Sequence, residues 1–308
     1  MSIPTRVEKS FTHCPDLTGP CILTIGTFDG LHLGHRAVLQ SMFEKSERQL
    51  PTVVVTFSNH PSEVVRPNKV TPLLISSAHK VHLLQDAGVD LVFLLPFTKS
   101  LSQLSAAEFM QQITGCIPVS HLVLGHDARV GFERQGDVEV LRGLGSQLGF
   151  TVSQLTPFKV RGITVSSTRI RKHLMAAKLD EAGVLLGRQP SVFGIAQPGQ
   201  GVGRTIGFPT LNLDITGLCT PPHGVYAVRV CGAGKTWQGI ANLGLAPTVR
   251  ADNRVVLESH LFGYNGGLEQ SEVTVYLRAF LRSELKFASL AHLREQIAKD
   301  IILAKEYS

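Results

Sequence analysis

The 308-residue sequence is poor in cysteine: Cys14, Cys21, Cys116, Cys219 and Cys231 are all it has. They are odd in number, scattered, and form no Cys-x-x-Cys pair, so neither a disulfide framework nor a zinc site is expected. A reducing cytoplasm is the corresponding expectation. Long hydrophobic runs are also missing. Leu91 to Phe97, the longest, contains Pro96 and falls far short of the roughly 20 residues of a membrane helix, so no membrane partner is expected. The first residues, Met1-Ser-Ile-Pro-Thr-Arg, lack the apolar core of a secretory signal. No block of Lys and Arg stands out. The net charge of +6 suits a protein that handles phosphates, but over this length it makes nucleic acid an unlikely partner. Small molecules are the expected partners, and no oligomeric state is implied.

With 43% hydrophobic and 18% charged residues, the chain reads as globular and is long enough for two domains. Up to about residue 185, strand-like runs at Cys21–Ile25, Thr52–Phe57, Asp90–Leu95, His121–Gly125 and Phe150–Gln154 alternate with helical patterns near 34–47, 76–88, 105–114, 137–148 and 167–177. Such alternation predicts an α/β domain with a doubly wound parallel sheet, whose ligands sit at the carboxyl ends of its strands. From residue 186 the texture changes. Ser191–Ala196, Thr210–Asp214, Gly224–Cys231, Thr236–Leu243, Arg254–Phe262 and Glu272–Phe280 follow one another without helices, which predicts an antiparallel β-barrel or sandwich. A closing helix carries Leu290, Leu293, Ile297 and Ile301 at helical spacing, a stripe expected to pack on the barrel. The expected domains are 1–185 and 186–308.

The decapeptide Gly26-Thr-Phe-Asp-Gly-Leu-His-Leu-Gly-His35 lies between the first strand and the first helix. A helix start offers unpaired backbone N–H groups and the positive end of a dipole, to which His32 and His35 add two more donors for an anion. Gly30 and Gly34 are expected to let a nucleotide approach the backbone, and Gly26, Phe28 and Asp29 complete the predicted phosphate loop. Later strand ends add His60 before Pro61, and Asp127 with Arg129; the first also fits a plain turn, the second a surface pair. Ser166-Ser167-Thr168-Arg169-Ile170-Arg171 opens another helix, with Ser167 and Arg171 on one face. Two such helix starts gripping a triphosphate would serve nucleotidyl transfer, in which His32, His35 and Arg171 stabilise the leaving pyrophosphate.

In the second half, Gly199, Gly203 and Arg204 belong to a glycine-rich segment able to close on phosphates. Thr210 and Asn212, two apart on an extended run, offer hard oxygens suited to nucleotide-bound Mg²⁺. Glu258 shares a strand face with Val256, His260 and Phe262, where a partly desolvated carboxylate can act as a general base; an exposed edge glutamate is the plainer alternative. Gly234-Lys235-Thr236 ends like a phosphate loop, but it lies between strands and reads as a hairpin turn.

The decapeptide, His60-Pro61, the Gly-x-Asp element, the Ser-Ser-Thr-Arg-Ile-Arg helix start and Gly207-Phe-Pro-Thr-Leu-Asn212 occur in the order found in bacterial bifunctional riboflavin kinase/FAD synthetases, which the chain resembles from about residue 20 to its end. The resemblance implies an N-terminal FMN adenylyltransferase with ATP held by the decapeptide and by Ser166, Ser167 and Thr168. It also implies flavin contacts at His60, Asp127 and Arg129. A C-terminal riboflavin kinase barrel is implied as well, with Thr210 and Asn212 on Mg²⁺ and Glu258 as base. Riboflavin, FMN and ATP are then the substrates. The chain departs from the family pattern at Ser58-Asn59, usually Asp-Pro; at Ala128 and Val130, usually aromatic; at Leu211, usually Ala; and at Glu269, usually Tyr. The first-domain changes at Ser58, Asn59, Ala128 and Val130 leave open a kinase that has lost its adenylyltransferase. A non-catalytic flavin- or nucleotide-binding regulator, with an affinity for RNA suggested by the positive charge, is an alternative of another class.

Overall fold

Strands Cys21–Ile25 and Thr52–Phe57 contain almost nothing but β-branched and apolar residues, the composition of strands covered on both faces. In the computed structural model they are central. The model describes residues 5–12, 14–17, 19–47, 49–198, 207–245 and 254–307, which divide into two units. The first comprises Met1–Leu73 and Lys80–Ser167, the second Leu74–His79 and Thr168–Ser308.

The first unit holds a six-stranded sheet of β1 (Arg6–Glu8), β2 (Cys21–Ile25), β3 (Thr52–Phe57), β4 (Leu91–Leu95), β5 (Val119–Leu124) and β6 (Thr151–Gln154). Every pairing is parallel, in the order β1-β4-β3-β2-β5-β6. From β2 the chain winds outward through β3 to β4, then returns to the other side of β2 with β5. The order therefore reverses at β2, and the crevice at its carboxyl end is where such sheets bind ligands. That crevice begins at Gly26.

Edge strand β1 was not expected, nor was a short hairpin of β7 (Lys159–Val160) with β8 (Ile163–Thr164). The cysteine expectation needs correction. Cys14 and Cys116 form a disulfide, with Cα atoms 5.0 Å apart across a sequence separation of 102. Phe11 packs against Phe93 and Phe109, which brings the amino-terminal segment to the end of helix Ala106–Thr114, where Cys116 sits. A pairing made through tertiary packing leaves no spacing signature.

In the second unit, β9 (Ser191–Ile195), β10 (Gln197–Pro198), β11 (Thr210–Asp214), β12 (Gly224–Gly232), β13 (Lys235–Leu245), β14 (Val255–Leu261) and β15 (Glu272–Arg282) form an antiparallel sheet. Its order is β10-β11-β14-β13-β12-β15-β9. The two ends of that order are neighbours in sequence, separated only by Ala196, so the sheet curls into a nearly closed barrel. Ala233 and Gly234, both at positive φ, make the two-residue turn from β12 to β13, which confirms the hairpin reading of Gly234-Lys235-Thr236.

Helix Leu290–Ala304 lies on the outside. Ile297, Ile301 and Ala304 pack with Val225, Ala227 and Ile240. Leu290 does not join them: at 58% exposure it lies off the stripe, because the helix begins beyond the barrel contact. Its anchor is polar. Arg282 donates through Nε and Nη2 to the buried Asp300 at 2.7–3.1 Å, and Gln296 donates to the same carboxylate at 2.9 Å.

Candidate functional sites

After β2 the decapeptide is locked at once, because Gly26 N–H donates to Val55 O at 3.0 Å. The backbone then passes through Phe28 (φ 46°), Gly30 (φ 84°) and Leu31 (φ 38°). Two bulky residues in the left-handed region cost on the order of 1–2 kcal/mol each. Burial of both side chains holds them there. Phe28 also lies under Gly26, where an added Cβ would come within 3.2 Å of its ring, and 5.0 Å from the His35 ring. Asp29, at 1% exposure, supports the loop from inside rather than facing solvent.

His32 caps helix Leu33–Ser46: its Nδ1 accepts from His35 N–H at 3.3 Å. Accepting at Nδ1 assigns the ring proton to Nε2, so a neutral His32 still presents one donor. The His32 and His35 rings stack with centroids 3.7 Å apart. Gly34 also serves the cap itself. A Cβ there would lie 3.2 Å from Cε1 and Nδ1 of His32, so the missing side chain makes room for the capping ring.

Ser167 Oγ donates to Asp29 O at 2.8 Å, which ties the start of the second helix to this loop. Helix Ser167–Met175 starts there, with Thr168 exposed and Arg171 half-buried one turn along. At the end of β3, His60 Nδ1 accepts from Ser62 N–H at 3.1 Å, so this ring nitrogen shapes the turn into helix Ser62–Val65. Asn59, where the family pattern has Pro, clasps Phe97 in both directions, donating to its carbonyl at 3.2 Å and accepting from its N–H at 2.8 Å. Asp127 and Arg129 do not pair with each other. Arg129 pairs with Asp137 at 3.1 Å, while Asp127 lies 3.8 Å from His126. Val130, where the pattern has an aromatic, is buried in the core.

In the barrel, strand register puts Asn212 opposite Glu258, and Glu258 opposite Asn242, so three polar residues cross β11, β14 and β13 in one row. Leu257, Ser259 and Leu261 point into the core and leave Glu258 half-buried on the other face with Val256 and His260, as alternation predicts. Thr210 Oγ1 donates to Glu258 Oε1 at 2.6 Å. Asn212 Oδ1 is buried and, among the described residues, accepts no hydrogen bond. His260 holds the strand entrance, donating from Nδ1 to Pro209 O at 2.9 Å. Asn242 Nδ2 donates to Glu284 Oε1 at 3.1 Å, and that carboxylate oxygen fills the space that a Cβ on Gly244 would take. The sequence marks Asn242 and the segment 282–287, which holds Glu284, only as family-order scaffold, because neither residue's place in the row is visible without the register.

Glu269, where the pattern has Tyr, accepts from Gly267 N–H at 2.9 Å and from Tyr264 OH at 3.3 Å, so it closes a turn. Gly199, Gly203 and Arg204 lie outside the described residues.

Comparison with known proteins matches these halves separately. A family model described as FAD synthetase covers residues 14–169, and one described as riboflavin kinase covers residues 186–308. The bifunctional riboflavin kinase/FMN adenylyltransferase of Pseudomonas fluorescens is 38% identical over 287 residues, 92% of each chain. Its counterpart in Escherichia coli K12 is 38% identical over 290 residues, 93% of this chain and 92% of that one. A solved structure described as a macrolide-efflux protein from Streptococcus pneumoniae superposes with a TM-score of 0.82 at 27% identity, covering 99% of this chain and all of that one. Efflux is that protein's description; here, no helix among the described residues is long and apolar enough to cross a membrane. The chain belongs to the bifunctional riboflavin kinase/FMN adenylyltransferase family.

Proposed function

We propose that the chain makes FAD in two steps, with riboflavin phosphorylated by residues 186–308 and the resulting FMN adenylylated by residues 1–185. Supporting this reading are two phosphate-handling constellations on one chain, the His32 loop and the Thr210–Glu258–Asn212 row.

For the kinase step, Glu258 Oε1 is engaged by Thr210 and its second oxygen is left to take the proton of the ribityl 5′-hydroxyl as that oxygen attacks the γ-phosphorus of ATP. ADP departs. Mg²⁺ fits the donors present: a hydroxyl, one carboxylate and the buried, unsatisfied Asn212 Oδ1. Among the described residues no cluster of three or more His, Cys, Asp or Glu offers an all-protein cage, so this set suits an ion that arrives on nucleotide phosphates. Thr210 and Asn212 would hold that ion, which supplies charge neutralisation to the transferring phosphoryl group.

For the second step, an FMN phosphate oxygen attacks the α-phosphorus of ATP and pyrophosphate leaves. His32 donates from Nε2, and His35, Arg171 and the helix N–H groups add donors where the leaving charge grows. Gly26, Phe28, Asp29 and Gly30 set the loop, Ser166, Ser167 and Thr168 the second helix start. His60, Asp127 and Arg129 are assigned to the flavin side, and Gly199, Gly203 and Arg204 to the kinase phosphates. Incubation with riboflavin and Mg-ATP, followed by chromatographic separation of flavins, tests the reading. FMN and then FAD are expected. Absence of FMN refutes the kinase assignment, and FMN that never becomes FAD refutes the transferase assignment.

A further inference from the structure

Lys80, on helix Ser77–Asp86, is 2% exposed, an unusual place for an ammonium group. It lies four residues before the buried Leu84, on the face where an apolar residue is expected. Its Nζ donates to Phe57 O at 2.7 Å, at the carboxyl end of β3, and to Thr56 Oγ1 at 3.3 Å. Thr56 is itself fully buried and donates onward to Thr27 O, inside the decapeptide, at 3.1 Å. The buried Asp29 of the same loop acts on Lys80 by its charge.

One buried cation therefore joins the end of β3 to both the backbone and the buried charge of the nucleotide loop. We infer that Lys80 is a positioning residue for adenylyl transfer: through Thr56 and Asp29 it fixes the 27–32 loop, and with it the donor on His32. The physical reason is that removing the ammonium takes away both the donor on Thr56 Oγ1, whose own proton ties Thr27 O, and a favourable charge on the buried Asp29, so the loop that carries His32 loses two of its supports. Burial alone opposes the charged lysine and holds its pKa down at about 8, while Asp29 pulls it back up. Because Lys80 meets the loop through neighbours, its effect should fall on the transition state more than on ATP binding.

The inference rests on the adenylyl-transfer reading, and wild-type FAD synthesis checks that reading first. Lys80→Met and the near-isosteric Thr56→Val are then assayed for FMN-to-FAD conversion and for riboflavin phosphorylation, with folding followed by circular dichroism. Each is expected to lower kcat of FAD synthesis at least tenfold, to change KM for ATP less than threefold, and to leave kinase turnover within twofold. Adding Asp29→Asn to Lys80→Met should restore part of the lost kcat, which a purely structural lysine would not produce. Should Lys80→Met not fold, Thr56→Val decides alone, since it cuts the link to Thr27 without stranding a charge. Retention of FAD synthesis within twofold in either folded variant overturns the inference, as does equal loss of both activities.

Discussion

Gly34→Ala separates two explanations of the same glycine. At position N2 of its helix Gly34 has ordinary helical backbone, so alanine raises intrinsic helix propensity by as much as about 1 kcal/mol. Against this, the new Cβ stands 3.2 Å from the capping atoms of His32, which must give by a few tenths of an ångström. Loss of an N-cap costs about 1 kcal/mol, so the two terms nearly cancel and the thermal midpoint should move by no more than a few degrees. Activity has no such cancellation. If a 1 Å misplacement costs about a hundredfold, a few tenths of that costs roughly three- to tenfold in kcat of FAD synthesis. Kinase turnover in the same preparation serves as the internal standard and should not change. An altered KM for ATP at constant kcat would mean that the glycine makes space for nucleotide instead, and would refute the capping argument.

Glu258→Gln keeps an acceptor for Thr210 but removes the base; riboflavin phosphorylation should fall about 10²- to 10⁴-fold while FAD synthesis from supplied FMN continues, as flavin chromatography will show. Lys80 binds its proton less tightly when folded, at about 8 against an ordinary 10.5. Between those values the unfolded chain holds a proton that the native chain lacks, so stability should rise with pH across this window. The slope should be at most about 1.4 kcal/mol per pH unit. Urea unfolding at pH 8 and 10 should show the rise in wild type and its loss in Lys80→Met. Cys14→Ser should lower the stability of the first unit by about 2–4 kcal/mol under oxidising conditions only, the chain-entropy ceiling for a loop of about 100 residues being roughly 4.7. Equal melting of wild type and variant without reductant would contradict it.

Strands with two covered faces were the most legible part of the chain. Cys21–Ile25, Thr52–Phe57 and Thr210–Asp214 coincide with their predicted bounds, because continuous burial or strict alternation imposes a pattern on every residue. Arg6–Glu8 and Gln197–Pro198 escaped for the opposite reason: each is a short edge whose pairing comes from its neighbour and not from its own composition. The same contrast divides the sites. His32 and Glu258 were readable because their neighbours in sequence define the helix start and the strand face. Lys80, Asn242, Glu284 and the Cys14–Cys116 bond act through partners brought near by folding, with separations that no local pattern encodes.

The departures from the family pattern follow the same physical logic. Asn59 in place of Pro makes two hydrogen bonds to Phe97 that a Pro ring cannot make, so the ends of β3 and β4 are tied by a side chain in place of a rigid ring. Val130 in place of an aromatic is buried in the core, and Glu269 in place of Tyr closes its turn with a carboxylate. Each replacement is engaged by scaffold. Asn59, Val130 and Glu269 supply no atom to the Nδ1 cap of His32, the Ser167–Asp29 link or the Thr210–Glu258 bond. The His32 cap, the Ser167–Asp29 link and the Thr210–Glu258 bond are all made in the presence of the changes, Leu211 between Thr210 and Asn212 included, which argues for two working sites over a kinase with a vestigial partner.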